Sequence, residues 1–236
     1  MKALTKAIFA FLLVASVENA FADTQDRHLT GFNAINAGGS FDVYITQGNT
    51  ESVKVEAPAD VMDKLITEVN GGVLKIYTKS GSWGNFNWFG GNHKKTVVYV
   101  TAKQLNSITE SGSGDVFFKD GITAPSLKLK VSGSGDMVGK VDTKDVEIGV
   151  SGSGDMKLLG RAVNASVGVS GSGDFSGSGL VTTNTTVRVS GSGDAAVNVN
   201  EKLDASVSGS GDVSYSGSAK NVNASASGSG SVHKGR

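Results

Sequence analysis

Five letters, Ser-Gly-Ser-Gly-Asp, recur six times in this chain, beginning at Ser111, Ser132, Ser151, Ser170, Ser190 and Ser208. A seventh copy, Ser227 to Ser231, ends in Ser instead of Asp. Successive copies start 21, 19, 19, 20, 18 and 19 residues apart. A period of that length, held over more than half the chain, marks a solenoid built by stacking one short unit on itself.

The letters between the copies say what the unit is. Leu127, Leu129, Val131, Gly133, Gly135 and Met137 share one parity, and Lys128, Lys130, Ser132, Ser134 and Asp136 share the other. Ile148, Val150, Gly152, Gly154, Met156 and Leu158 repeat the pattern one unit later. Side chains alternate across a strand, so the first set faces a core and the second faces water. The first copy departs from this, because Glu110 falls at an inward parity. Each unit is too short to hold a helix as well, so each is read as one rung of a parallel β-helix. Rungs about 4.8 Å apart make seven copies a rod of roughly 30 Å. Paired inward glycines imply a close approach of opposite walls or a bend in the strand. The outward parity stacks Ser on Ser and Asp on Asp.

Residues 1–22 read as a secretory signal peptide: Lys2 and Lys6, an apolar run from Ala7 to Val17, and the cleavage pattern Ala20-Phe21-Ala22. The run is too short to span a bilayer. An exported chain starting at Asp23 is expected, placed in a periplasm or outside the cell, with no transmembrane segment left after cleavage. The 22 basic and 22 acidic residues balance, which argues against a nucleic-acid partner. There is no cysteine, hence no disulfide framework.

Residues 23–102 form a β-rich part that lacks the regularity of the repeat array at 103–236. Strand patterns run through Gly31–Ile35, Ser40–Thr46, Val53–Val55, Val73–Thr78 and Thr96–Ala102. Pro58 opens the helical pattern of this part: Val61, Leu65, Ile66 and Val69 share a face, and Asn70-Gly71-Gly72 stops it, predicting a helix over about 59–69. The part is either a small domain of its own or a set of irregular first rungs capping the rod, since an open solenoid end exposes strand edges and core.

Gly31 to Lys79, beginning Gly-Phe-Asn-Ala-Ile and continuing Ser40-Phe-Asp-Val-Tyr-Ile-Thr-Gln-Gly48, resembles the opening of the head GIN domain family of putative auto-transporter adhesins. Val98 to Thr101, Leu105, Ile108 and the serial Ser-Gly-Ser-Gly-Asp units resemble the rest of that domain. The likeness runs from about Phe32 to the end of the chain. It implies an all-β, right-handed parallel β-helix, a place in or on a bacterial envelope, and no catalytic residues to carry over.

Two groups of residues are candidate sites. Asp115, Asp136, Asp155, Asp174, Asp194 and Asp212 would stack about one rung apart, where like charges at ~5 Å repel by roughly 1 kcal/mol even in bulk water. Either these carboxylates accept backbone N–H groups at a corner, or Ca²⁺ bridges them with Ser or backbone oxygens. The spacing matches neither the nonapeptide calcium repeat nor an EF-hand. The second group is Trp83, Phe86, Trp88 and Phe89 in the loop 80–95, a dense aromatic set among Gly and Asn. It acts as a plug over the solenoid's end or as a contact for a glycan or a cell-surface protein.

Catalysis finds little support. His28, His93 and His233 are scattered, no Ser lies in a Gly-x-Ser-x-Gly elbow, and the glycine runs are not followed by Lys-Ser/Thr and a helix. The reading is therefore an exported, non-enzymatic protein that presents a rigid surface as an adhesin or envelope binding module. The alternatives are a scaffold without a ligand, self-associating through the solenoid's ends, and more distantly a carbohydrate-active enzyme.

Overall fold

The computed structural model describes residues 23–79 and 95–235. Residues 1–22, expected to be a signal peptide, and the aromatic residues of the loop, Trp83, Phe86, Trp88 and Phe89, lie outside them. What is described is a β-solenoid of about seven turns.

Five long strands form its body: β9 (Val116–Val131), β10 (Met137–Val150), β11 (Met156–Val169), β12 (Phe175–Val189) and β13 (Ala195–Gly209). They stack in parallel and in sequence order, and each is joined to the next by one Ser-Gly-Ser-Gly-Asp corner. The register follows the repeat: Met137 lies against Met156, Met156 against Phe175, and Phe175 against Ala195. The predicted parity holds. Leu127, Leu129, Val131 and Met137 are buried, while Lys128, Lys130, Ser132, Ser134 and Asp136 are exposed. Each buried aliphatic side chain contributes on the order of 1.5–3 kcal/mol of apolar burial. The stack closes with β14 (Val213–Ser216) and β15 (Asn221–Gly228) on the two halves of β13, and β16 (Val232–Lys234) on β14.

The same two walls continue toward the N-terminus. On one, β3 (Asp42–Gln47) pairs in parallel with the start of β9 and with β7 (Val97–Ala102). On the other, β8 (Ser107–Glu110) pairs in parallel with the end of β9, β2 (Ala34–Gly38) with β8, and β6 (Val73–Thr78) with β2. One hydrophobic core runs from Phe32 to Val213. The described strands of residues 23–102 thus share one sheet with the repeat array, and their buried residues share its core. Antiparallel strands finish this end: β4 (Ser52–Ala57) on β7, β1 (Asp23–Asp26) on β4, and β5 (Leu65–Asn70) on β6.

The helix expected over 59–69 is corrected by β5. Only α1 (Ala59–Met62) is helical, one turn whose Val61 and Met62 amides bond Pro58 O at 2.9 Å. Leu65 to Asn70 instead pair residue by residue with Thr78 to Val73. The physical reason is Gly71-Gly72, both at positive φ (59° and 77°), a two-residue turn whose twist matches a hairpin. With Ile66, Thr67 and Val69 stiff at χ1, pairing across that turn outweighs a weak helical period.

Candidate functional site

The corner is built from glycine and aspartate for two different reasons. At the glycines, successive rungs touch backbone to backbone. A methyl on Gly133 would collide with the carbonyl of Gly112, one on Gly152 with that of Gly133, and one on Gly154 with that of Gly135. Of the two readings, an approach of opposite walls or a bend in the strand, the chain does bend at these corners, and the close approach is between stacked rungs along the axis and not between walls.

At the aspartates, each carboxylate accepts the main-chain N–H of the next rung. Asp115 Oδ1 takes Asp136 N at 3.0 Å, Asp136 takes Asp155 at 2.8 Å, and Asp155 takes Asp174 at 2.8 Å. Asp174 takes Asp194 and Asp194 takes Asp212, both at 2.7 Å. Asp212 accepts both the N–H and the hydroxyl of Ser231, at 2.7 and 2.9 Å. Those Ser231 bonds, the hydroxyl's first, hold the Asp212 carboxyl below its ordinary range. The deviant seventh copy therefore ends the ladder with a donor side chain. Charge-assisted N–H bonds offset the repulsion between stacked charges. The carboxylates are strung out one per rung, and among the described residues no three His, Cys, Asp or Glu side chains gather as a metal-holding group.

The ladder starts before the first full copy. Asp42 Oδ1 faces Asp115 N at 3.4 Å, and a methyl on Gly112 or Gly114 would strike the backbone of Gly39 or Phe41. Gly38-Gly39-Ser40-Phe41-Asp42 is thus a diverged corner, with Phe41 buried in place of the second inward glycine. The signal was present as Gly-Ser-x-Asp, but register alone identifies it. Asp42 is buried and pairs with Lys95 Nζ at 2.5 Å, which raises the Lys95 pKa. Lys95 is the described end of the aromatic loop. That loop joins β6 to β7 where the next rung joins β2 to β3 by this corner.

Glu110, the residue at the wrong parity, does point inward and is 1% exposed. Its Oε1 accepts Gly112 N–H, and its Oε2 has no hydrogen-bond partner among the described residues. Burial drives its carboxyl up to about 7, the Asp115 and Asp136 charges add to this, and the Gly112 and Gly133 amides oppose it.

An aromatic row stands on the outer face beside the corner. Tyr44 on β3 stacks on Tyr99 of β7 (centroids 5.7 Å apart) and on Phe117 of β9 (5.0 Å), both at 27°. Lys119 Nζ lies 5.1 Å from the centre of the Phe117 ring. Tyr44 and Tyr99 remain 39% and 41% exposed. Cross-strand aromatic pairs stabilise a sheet by roughly 0.2–1 kcal/mol, so part of the row's role is to hold the first rungs in register. It also offers flat, wet-edged rings one rung apart. The alternation of Phe41, Val43 and Ile45 leaves Tyr44 on the opposite face of its strand, but its alignment with Tyr99 and Phe117 depends on pairing between distant segments.

The chain matches, over residues 31–219, the family described as putative auto-transporter adhesin, head GIN domain. Its fold is similar to a solved structure of a putative adhesin from Bacteroides fragilis, with a TM-score of 0.83 and 26% identity over 90% of this chain and 96% of that one. A putative lipid binding protein from Parabacteroides distasonis is similar at a TM-score of 0.73 and 26% identity, covering 92% and 98% of the two chains. A putative adhesin from the same organism shares the fold at a TM-score of 0.73 and 23% identity, covering 92% and 98%. Among curated proteins none matches. No helix among the described residues is long and apolar enough to cross a membrane.

Proposed function

Because the chain belongs to the head GIN domain family of putative auto-transporter adhesins, we propose that it is an exported, non-catalytic binding module whose solenoid presents a rigid contact surface at a bacterial envelope. The observation that carries this reading is the row Tyr99–Tyr44–Phe117: three stacked rings, two of them well exposed, on strands held in fixed register. Rigid aromatic faces lose little entropy on binding and stack on the apolar faces of sugar rings or anchor a protein partner. Trp83 and Trp88 belong to the same proposal, on the loop that ends at Lys95 beside Asp42.

A glycan array tests it, with wild type beside Tyr44→Thr/Tyr99→Thr and beside Trp83→Ala/Trp88→Ala. Threonine keeps the strand preference while removing the rings. The expected result is binding by wild type that falls by about tenfold or more, ~1.4 kcal/mol, in the tyrosine variant with its fold retained. Glycan binding that survives in both variants overturns the assignment to these rings, and a folded wild type that binds no glycan overturns the glycan contact.

A further inference from the structure

On the wall that leads into the corner, one outward column reads Lys130, Gly149, Gly168, Arg188 across β9 to β12. The two glycines break a row of side chains. Neither has positive φ, and neither is needed for close packing. A Cβ on Gly149 would come no nearer than 3.7 Å to anything but its chain neighbours, and one on Gly168 no nearer than 3.9 Å. Glycine inside a strand costs about 0.5–1 kcal/mol relative to a residue with a side chain. These two return nothing to the fold, unlike the corner glycines. What they do is leave a bare floor in a groove of about 410 Å³.

The groove has a charge pattern. Lys130 stands at one end and Arg188 at the other, three rungs or roughly 14 Å apart along the axis. Lys128 also lines it and is neutralised by Glu147, at 2.7 Å. No carboxylate among the described residues lies within ion-pair distance of Lys130 or Arg188. Asp204, whose carboxyl Arg188 helps to hold low, is bonded first to Lys202. The lining thus carries two uncompensated positive charges. Ser151, Ser170 and Ser190 run along one side and supply hydroxyls at one per rung.

We infer that this glycine-floored groove binds an extended anionic polysaccharide, with its acidic groups on Lys130 and Arg188 and its hydroxyls along the serine column. A protein partner would call for an aromatic or large apolar anchor, and none is exposed here: the exposed side chains of the lining are Lys128 (paired with Glu147), Lys130, Arg188 and the three serines, over buried Leu129, Val150 and Val169. The inference rests on the reading of the solenoid as a ligand-presenting surface, but on residues separate from the aromatic row.

The test is binding of the full mature protein to immobilised polygalacturonate, dextran sulfate, neutral dextran and poly-L-glutamate at near-physiological salt. Wild type is expected to bind the carboxylated or the sulfated polysaccharide, which tells the two anion chemistries apart, and not neutral dextran. Lys130→Gln/Arg188→Gln should weaken binding by about tenfold or more. Gly149→Val/Gly168→Val should do the same with its melting temperature kept or raised, because it fills the floor with good strand formers. Lys144→Gln/Lys157→Gln, which removes two charges outside the groove, should leave binding within about twofold. The groove variants leave Tyr44 and Tyr99 intact, so their effect on acidic-polysaccharide binding is read separately from that of the aromatic row. The inference is overturned if neither acidic polysaccharide binds, if the groove variants bind like wild type, or if polyglutamate binds as tightly, which would make the ligand an acidic peptide.

Discussion

Glu110 shows how one residue can set a protein's response to pH. Its carboxyl is buried on β8, in register with Val131, and has a pKa of about 7 in place of 4.5. A raised acid favours the folded state while protonated. Its stabilising effect is complete below the unfolded pKa and is lost as pH climbs from about 4.5 to about 7. Asp142, Asp204 and Asp212 are shifted the other way, so their contributions persist at high pH and disappear as pH falls below the usual carboxylate range. The two windows do not coincide. Chemical denaturation across this range should show wild type losing on the order of 1–2 kcal/mol between pH 4.5 and 7, after allowance for solvent screening. Glu110→Gln, which keeps an acceptor for Gly112 N–H but has no proton to lose, should remove that slope. Parallel profiles for the two proteins would contradict the assignment. The inward parity of Glu110 was legible from the alternation, whereas its environment needed the rungs on either side of it.

At the scale of the element, the corner and the wall use glycine in opposite ways, and substitution separates them. Gly154→Ala places a methyl against the main chain of Gly135 and Ser134, with no flexible side chain to move out of its way. A loss of about 3 kcal/mol or more is expected, in the range set by strain that cannot relax. Gly168→Ala on the wall meets only Ile148 O, at an ordinary 3.9 Å, and should be neutral or stabilising by about 0.5–1 kcal/mol. Equal effects in thermal melts would mean that the corner does not stack as closely as described. Sequence reading singled out the paired corner glycines and passed over Gly149 and Gly168, because what a glycine does here depends on what lies one rung away. The segment after Pro58 teaches the same lesson. Its apolar spacing satisfied a helix, yet Gly71-Gly72 closed a hairpin and made Leu65–Asn70 a strand.

Over the whole molecule, stability is a sum of rungs and of the interfaces between them, and it is lowest where a rung has one neighbour. All eight residues of β15 are exposed, including Val222, Ala224 and Ala226, while their partners in β13, Leu203, Ala205 and Val207, are buried. The amides of 221–234 should therefore exchange with solvent fastest within the repeat array, and those of β10 to β12 slowest. Uniform protection along the rod, read by hydrogen exchange, would mean a single cooperative unit or a covered last rung.

The repeat, its parity and its outward Asp column determined the architecture before any coordinates, because a rung's side chains alternate by covalent geometry and because identical rungs must stack in one register. Local chemistry of that kind is written in adjacent letters. Tertiary structure alone decided what meets across rungs. Gly38–Asp42 became a corner because Gly112 and Asp115 lie on it, and Tyr44 joined Tyr99 and Phe117 because β3 lies between β7 and β9. Lys130 and Arg188 came to frame one groove because 58 residues of chain close into three turns. In each case the partners are far apart in sequence, and their meeting depends on how many residues each turn consumes.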